Sequence, residues 1–147
     1  MKCLLLSFLS LVTLLHVQAQ DSAPVQVPDA VTRAFKQAYP QAAAIKWKQK
    51  KETYKADFKI GKADHELWLT PAGAIEKHSF EIKAEMLPDA VKSTLQRDFA
   101  SYTPDKCEQT EEKGATTYKV ELKSTAGKKN VKFGADGKVI VKKDDTK

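Results

Sequence analysis

The pentapeptide Val27-Pro-Asp-Ala-Val31 returns 60 residues later as Leu87-Pro-Asp-Ala-Val91, so the chain contains an internal repeat. Behind each copy, apolar residues recur every four positions, which places them on one face of a helix. The two apolar sets are Val27, Val31, Phe35 and Tyr39, and then Leu87, Val91, Leu95 and Phe99. Proline suits the first turn of a helix, because its missing N–H would have no partner there. The repeat therefore predicts two amphipathic helices that begin in the same way.

After each predicted helix the sequence alternates with period two, which is typical of strands. We expect strands near 43–50, 53–61, 64–70 and 74–82, and again near 105–112, 116–124, 128–134 and 138–143. This pattern predicts an α+β fold made of two tandem helix-plus-four-stranded antiparallel meander repeats, with the helices on one face of the sheet. The repeats occupy residues 24–85 and 86–147. Whether they form one continuous sheet or two is left open.

The segments 71–73 and 135–137 are both expected to be three-residue hairpin loops that end in glycine, which takes positive φ readily. In the second repeat this loop pairs Phe133 with Val139 and Val131 with Val141, which keeps four apolar residues on one face. The same register in the first repeat pairs Leu69 with Ile75.

Strand alternation also predicts which side chains the helices leave uncovered. Because Leu67 and Leu69 have core parity, Trp68 should face solvent on the open face, as should Lys55 and Lys59. In the expected register Glu66 pairs with His78, which puts His78 on the open face and His65 on the opposite one. Trp47 has the same parity as Ile45 and is expected in the core.

The first 19 residues are expected to be a signal peptide. Lys2 precedes an almost wholly apolar run from Leu4 to Leu15, and Val17-Gln18-Ala19 fits a cleavage site. An uncleaved anchor is the alternative, although the run is shorter than the about 20 residues that span a bilayer. We expect an exported protein, periplasmic or secreted, with no transmembrane segment after cleavage.

The composition of the remaining chain excludes several function classes. It has 24 basic and 19 acidic side chains, and its only cysteine, Cys107, cannot form an internal disulfide. With His65 and His78 expected on opposite faces, no metal site is predicted. The sequence shows no nucleophile elbow, phosphate loop or nucleic-acid-reading motif. We therefore expect no enzyme, no cofactor and no nucleic-acid partner.

The run from Tyr54 to Phe58, the strand to Leu69, the turn at Gly73 and the second Leu87-Pro helix together resemble the PepSY-like domain family. That family is beta-lactamase-inhibitor-like and occurs in exported bacterial proteins. The resemblance covers roughly residues 27–143. It implies a fold similar to the beta-lactamase inhibitor protein, with an open sheet face that can grip a partner.

We therefore expect a non-catalytic binding module that docks an envelope or secreted protein through the open face. Inhibition of a protein or enzyme is the sharper form of this hypothesis. The candidate binding residues on the open face are Trp68, His78, Lys55, Lys59, Lys46 and Lys48. We expect Trp68 to be the apolar anchor, because tryptophan is enriched at binding hot spots. The alternative for this residue is packing on the opposite hairpin or on the other repeat. The alternative is an envelope-associated binder of an anionic ligand or polymer, which would use the lysine-rich strands. Oligomeric state is left open, because edge strands can pair between chains.

Overall fold

A computed structural model describes residues 25–145, and the predicted signal peptide lies outside this range. The chain order is helix, four strands, helix, four strands, as the repeat predicts. Helices α1 and α2 span Asp29–Ala38 and Asp89–Asp98, and a short 3-10 helix, Ala84–Met86, precedes α2. The first four strands are β1 Ala43–Lys50, β2 Thr53–Ile60, β3 Ala63–Leu69 and β4 Ile75–Ile82. The second four are β5 Thr103–Glu112, β6 Ala115–Ser124, β7 Gly127–Gly134 and β8 Val139–Asp145.

The eight strands form a single antiparallel sheet in chain order, β1 to β8. The two repeats are therefore continuous, and they join where β4 pairs with β5. Cross-strand partners point to the same side of a sheet. Following the partners from Leu67 through His78 to Glu111 shows that both repeats direct their apolar side chains to one side, the helix face. Within residues 25–145 no helix covers the other side, which we call the open face.

Each helix buries its own apolar cluster against the helix face. Val31 and Phe35 of α1 pack on Ala56, Phe58 and the buried leucines of β3. The α2 cluster consists of Ile82, Leu87, Val91, Leu95, Phe99, Cys107, Tyr118, Val120, Leu122, Val131 and Phe133. Burying a side chain of this kind contributes about 1.5–3 kcal/mol. With no disulfide among the described residues, these two clusters hold the fold together.

The hairpin loops adopt the predicted three-residue form. Thr70 N–H donates to the Ala74 carbonyl at 2.8 Å, and Gly134 N–H donates to the Lys138 carbonyl at 2.9 Å. Gly73 and Gly137 have φ of 86° and 77°, as the turn requires. Each glycine also lies close to the helix of its repeat. A Cβ at Gly73 would stand 2.7 Å from the Ala30 carbonyl oxygen, and a Cβ at Gly137 would stand 2.4 Å from the Ala90 carbonyl oxygen.

The predicted register is right at the loops and wrong beyond them. Leu69 pairs with Ile75, but a bulge follows, so Trp68 pairs with Lys77 and Leu67 with His78. The expected pairing of Glu66 with His78 is therefore wrong. One extra residue on β4 moves every later side chain of that strand to the other face.

The second repeat has the same bulge between β7 and β8. Phe133 pairs with Val139, as predicted, but Val131 pairs with Lys142 rather than with Val141. The two repeats thus share this irregularity, which in the first repeat also shows in the sequence, because Ile75 has the opposite parity to Phe80 and Ile82.

Candidate functional site

The open face of the first repeat presents Trp68 between two lysines. Cross-strand pairing places Lys55 on one side of Trp68 and Lys77 on the other. The Nζ atoms of Lys77 and Lys55 lie over the indole, 4.4 and 5.0 Å from the ring centroid. Trp68 is half-buried by these neighbours and belongs to neither apolar core cluster. The predicted parity of Trp68 is therefore right.

A chain of ion pairs connects Trp68 to the edge of the sheet. Lys55 Nζ lies 2.6 Å from Glu66 Oε1 and 2.9 Å from Asp57 Oδ1, and Lys48 Nζ lies 2.7 Å from Asp57 Oδ2. Burial by itself lowers the pKa of Lys55, but Glu66 and Asp57 outweigh it, so the pKa of the ammonium rises. Burial also raises the pKa of Asp57, but the two lysines reverse this and lower it. The network keeps Lys55 charged and fixed beside the indole.

The other predicted lysines also lie on the open face. Lys46 stands opposite Asp57 on the edge strand, and Lys59 forms an ion pair with Asp64 at 2.5 Å. Both side chains are exposed. Of the predicted lysines, Lys55 lies against Trp68 and Lys48 is connected to it through Asp57, whereas Lys46 and Lys59 lie further along the same face.

The centre of the open face is acidic and was not predicted. Glu81 on β4 stands directly opposite Glu108 on β5, and no ion pair of either is found within residues 25–145. Beside them, Ser79 and Thr110 share a 2.7 Å hydrogen bond and are only 2% and 8% exposed. Because this junction depends on the β4 bulge and the pairing of β4 with β5, one repeat's sequence does not reveal it.

The second repeat gives the open face a different character. Position 132, which matches Trp68, holds lysine, and Lys132 stands directly opposite Lys119. Like charges placed directly opposite each other on a sheet are destabilising by themselves. Along the open face the surface thus changes from an aromatic ring among lysines to carboxylates and then to lysines.

His78 is a correction to the predicted site. The β4 bulge puts it on the helix face, where its Nε2 lies 3.1 Å from His65 Nδ1 and its Nδ1 lies 3.2 Å from Tyr39 Oη. Burial lowers the pKa of both histidines, and His65 lowers the pKa of His78 further. The expectation that the two histidines lie on opposite faces is also wrong.

Cys107 and Trp47 also lie on the helix face, where the sequence predicts Trp47. Cys107 is buried, and burial followed by the nearby carboxylates of Glu85 and Glu81 raises its pKa to about 11. A thiol with such a pKa is a poor nucleophile. Trp47 packs edge-to-face on Phe35 with ring centroids 5.2 Å apart.

These observations define a class of protein: a tandem helix-and-meander scaffold with one bare, polar sheet face. The model of the family described as "Putative beta-lactamase-inhibitor-like, PepSY-like" matches residues 16–77 and 52–141. The chain therefore belongs to the PepSY-like family. The overlapping matches cover both repeats.

Solved structures from Bacteroides have the same fold. A "putative periplasmic" protein from Bacteroides eggerthii is 23% identical, with a TM-score of 0.72 over 82% of this chain and 90% of that one. A "BLIP-like protein" from Bacteroides fragilis is 25% identical, with a TM-score of 0.70 over 86% of this chain and 92% of that one. A DUF2874 family protein from Bacteroides uniformis is 19% identical, with a TM-score of 0.70 over 81% of this chain and 90% of that one.

The search of curated proteins gives no match. The family is inhibitor-like rather than a catalytic one. Among the described residues, no helix is long and apolar enough to cross a membrane.

Proposed function

We propose that this protein is an exported, non-catalytic binding module that docks a protein through its open face. The observation that carries the proposal is the half-buried Trp68, held between Lys55 and Lys77 away from either core. An amphipathic ring in a fixed position gains contact area with little loss of conformational entropy. The family's inhibitor-like character supports a sharper form, in which the docked module blocks an envelope or secreted enzyme sterically.

The charge pattern favours a protein over an anionic polymer. Glu81 and Glu108 lie at the centre of the open face, between the lysines of the two repeats. A polyanion that follows the lysines across the sheet would meet these carboxylates. A folded protein can match both signs, because complementary charges steer the encounter while an apolar anchor supplies affinity.

Export is part of the proposal. The predicted signal peptide supports it, as does the Bacteroides eggerthii neighbour, which is described as a "putative periplasmic" protein.

The test begins with capture from envelope and secreted extract, with the chain from Gln20 onward as bait, and continues with the isolated partner. We expect Trp68→Ala to weaken the measured Kd at least 30-fold, since a hot-spot residue contributes about 2 kcal/mol or more. The matched control is Lys132→Ala, at the equivalent position of the second repeat, which should change the Kd less than fivefold. Equal Kd values for Trp68→Ala and the unmodified chain would refute docking through this residue.

Salt separates the two functional hypotheses. An interface anchored by Trp68 should keep most of its affinity between 50 and 500 mM salt, whereas charge-driven binding should collapse over about that range. Retention of only anionic polymer, released at high salt, would favour the lysine strands, with Lys46→Glu as the confirming variant.

A further inference from the structure

We propose that His65 and His78 form a two-histidine site for a divalent transition-metal ion, Zn²⁺ or Cu²⁺, on the helix face. His65 Nδ1 and His78 Nε2 lie 3.1 Å apart. Two imidazole nitrogens bound to one zinc, each at about 2.0–2.1 Å, are separated by roughly 2.9 Å at a right angle and 3.4 Å at a tetrahedral one. The observed separation falls between these values, so both nitrogens can reach one ion when each ring turns its lone pair away from the other nitrogen and toward a common point.

The surroundings already hold one ligand in place. Tyr39 Oη lies 3.2 Å from His78 Nδ1, the nitrogen that points away from His65. A metal-binding histidine usually donates its other N–H to such a partner, which fixes the tautomer. The His78 ring also packs against Phe80 in a tilted arrangement, with centroids 4.8 Å apart.

One proton must move when the ion binds. Without metal, a single proton lies between His65 Nδ1 and His78 Nε2, because one nitrogen donates to the other. Metal binding needs both lone pairs, so this proton moves to an outer nitrogen, either His65 Nε2 or the His78 Nδ1 that faces Tyr39. Neither imidazole carries a charge in this exchange.

The charges around the two histidines also bear on metal binding. Glu111 stands directly opposite His78 on β5, and its carboxylate would attract a cation. Asp64 is next to His65 in the chain but points to the open face, where it pairs with Lys59.

The fold does not require histidine at these positions. In the second repeat the equivalent residues are Lys129 and Lys142, whose ammonium groups lie over the rings of Tyr102 and Phe99 at 5.4 and 5.8 Å. In the second repeat, lysines packed over aromatic rings thus occupy the positions that the two histidines occupy in the first. The imidazole pair is a feature of the first repeat alone.

Two protein ligands leave the ion with open positions. Within residues 25–145, no group of three or more histidine, cysteine or carboxylate side chains converges on one point. Water or a side chain of a bound partner would complete the coordination, and His65 and His78 are only partly buried, so the site is accessible. Such an ion would join this protein to a partner rather than stabilise the fold.

The chain from Gln20 onward contains only these two histidines, so a ring-selective NMR spectrum reports on them alone. We expect Zn²⁺ to shift both ring signals together and to saturate at one ion per chain at pH 7. Calorimetry should show at least tenfold weaker binding for His65→Phe and for His78→Gln. Tyr39→Phe should have a smaller effect, and Cu²⁺ should bind more tightly than Zn²⁺.

Cys107→Ala is the matched control. It removes the only thiol of the chain from Gln20 onward and should leave the Zn²⁺ affinity unchanged. Circular dichroism of each variant establishes that the fold is intact, and His65→Phe preserves the ring packing. Ring signals that do not move in millimolar Zn²⁺ would overturn the proposal. Zn²⁺ binding of equal strength in both folded histidine variants would also overturn it.

Discussion

Replacing Gly137 by alanine tests how closely the hairpin turn of the second repeat packs on its helix. Gly137 has φ of 77°, and a Cβ there would stand 2.4 Å from the Ala90 carbonyl oxygen and 2.6 Å from its carbon. Both atoms belong to the backbone of α2, so no side-chain rotation can relieve the overlap. The Gly137 carbonyl also accepts a 2.9 Å hydrogen bond from the buried Thr94 hydroxyl. The turn and the helix must therefore separate.

Three costs add in Gly137→Ala. Positive φ costs an alanine about 1–2 kcal/mol. The forced separation costs about 1–3 kcal/mol, and stretching the buried Thr94 bond costs about 1–2 kcal/mol. We expect a loss of about 3–7 kcal/mol in the free energy of unfolding.

The chain provides two internal comparisons. Gly114 has φ of 78°, but a Cβ there would meet nothing within 4 Å, so Gly114→Ala isolates the backbone cost of about 1–2 kcal/mol. Gly73→Ala should fall in between. Its Cβ would stand 2.7 Å from the Ala30 carbonyl oxygen, but Ala34 replaces Thr94, so no hydrogen bond is lost.

Urea unfolding followed by far-UV circular dichroism gives the free energy for each variant. The expected order of destabilisation is Gly137→Ala, then Gly73→Ala, then Gly114→Ala. If Gly137→Ala costs no more than Gly114→Ala, the turn does not pack on α2 as described, and the reasoning fails.

Three further outcomes follow from buried groups. The Cys107 thiol, whose pKa is raised to about 11, should not react with a thiol reagent at pH 8 until urea unfolds the chain. Ser79→Ala should cost about 1–2 kcal/mol in urea unfolding because it leaves the Thr110 hydroxyl unpaired, and adding Thr110→Val should cost less than additivity predicts. The pKa values of His65 and His78 are lower in the folded chain than in the unfolded one, so the unfolded chain binds more protons. The free energy of unfolding should therefore be highest above pH 6.5 and should fall as the pH drops through the folded-state pKa values. His78→Phe should flatten that slope in a series of urea titrations, and an unchanged slope would contradict the assignment.

The sequence predicts the elements well because the apolar alternation specifies them. The observed β1, Ala43–Lys50, has the expected bounds, and the other strands differ from expectation by at most two residues at either end. The same signal places Trp47 on the helix face and Trp68 on the open face. A repeat of 60 residues also reports each element twice, which reduces the ambiguity of short apolar runs.

The predicted position of His78 is wrong because the prediction extends the loop register along β4 without a break. The sequence holds a sign of the bulge, since Ile75 has the opposite parity to the apolar Phe80 and Ile82. The extra residue of β4, opposite the step from Leu69 to Trp68, reverses the face of the rest of that strand. The acidic centre was missed for a related reason. Glu81 and Glu108 come from different repeats, and they meet only because β4 pairs with β5 in one continuous sheet.

Comparison of the two repeats separates the positions that the fold requires from those that are free to vary. The helix-face positions directly under the helices hold apolar residues in both repeats, as in Leu67 and Val131, because both must fill a core. Only away from these core positions does the helix face differ, as where His65 and His78 correspond to Lys129 and Lys142. The open face carries no such requirement, and there tryptophan at 68 stands against lysine at 132. The doubled architecture therefore constrains one face of the sheet twice and leaves the other free to differ. An asymmetric partner needs such a surface, since identical repeats would offer two equivalent positions and no preferred orientation.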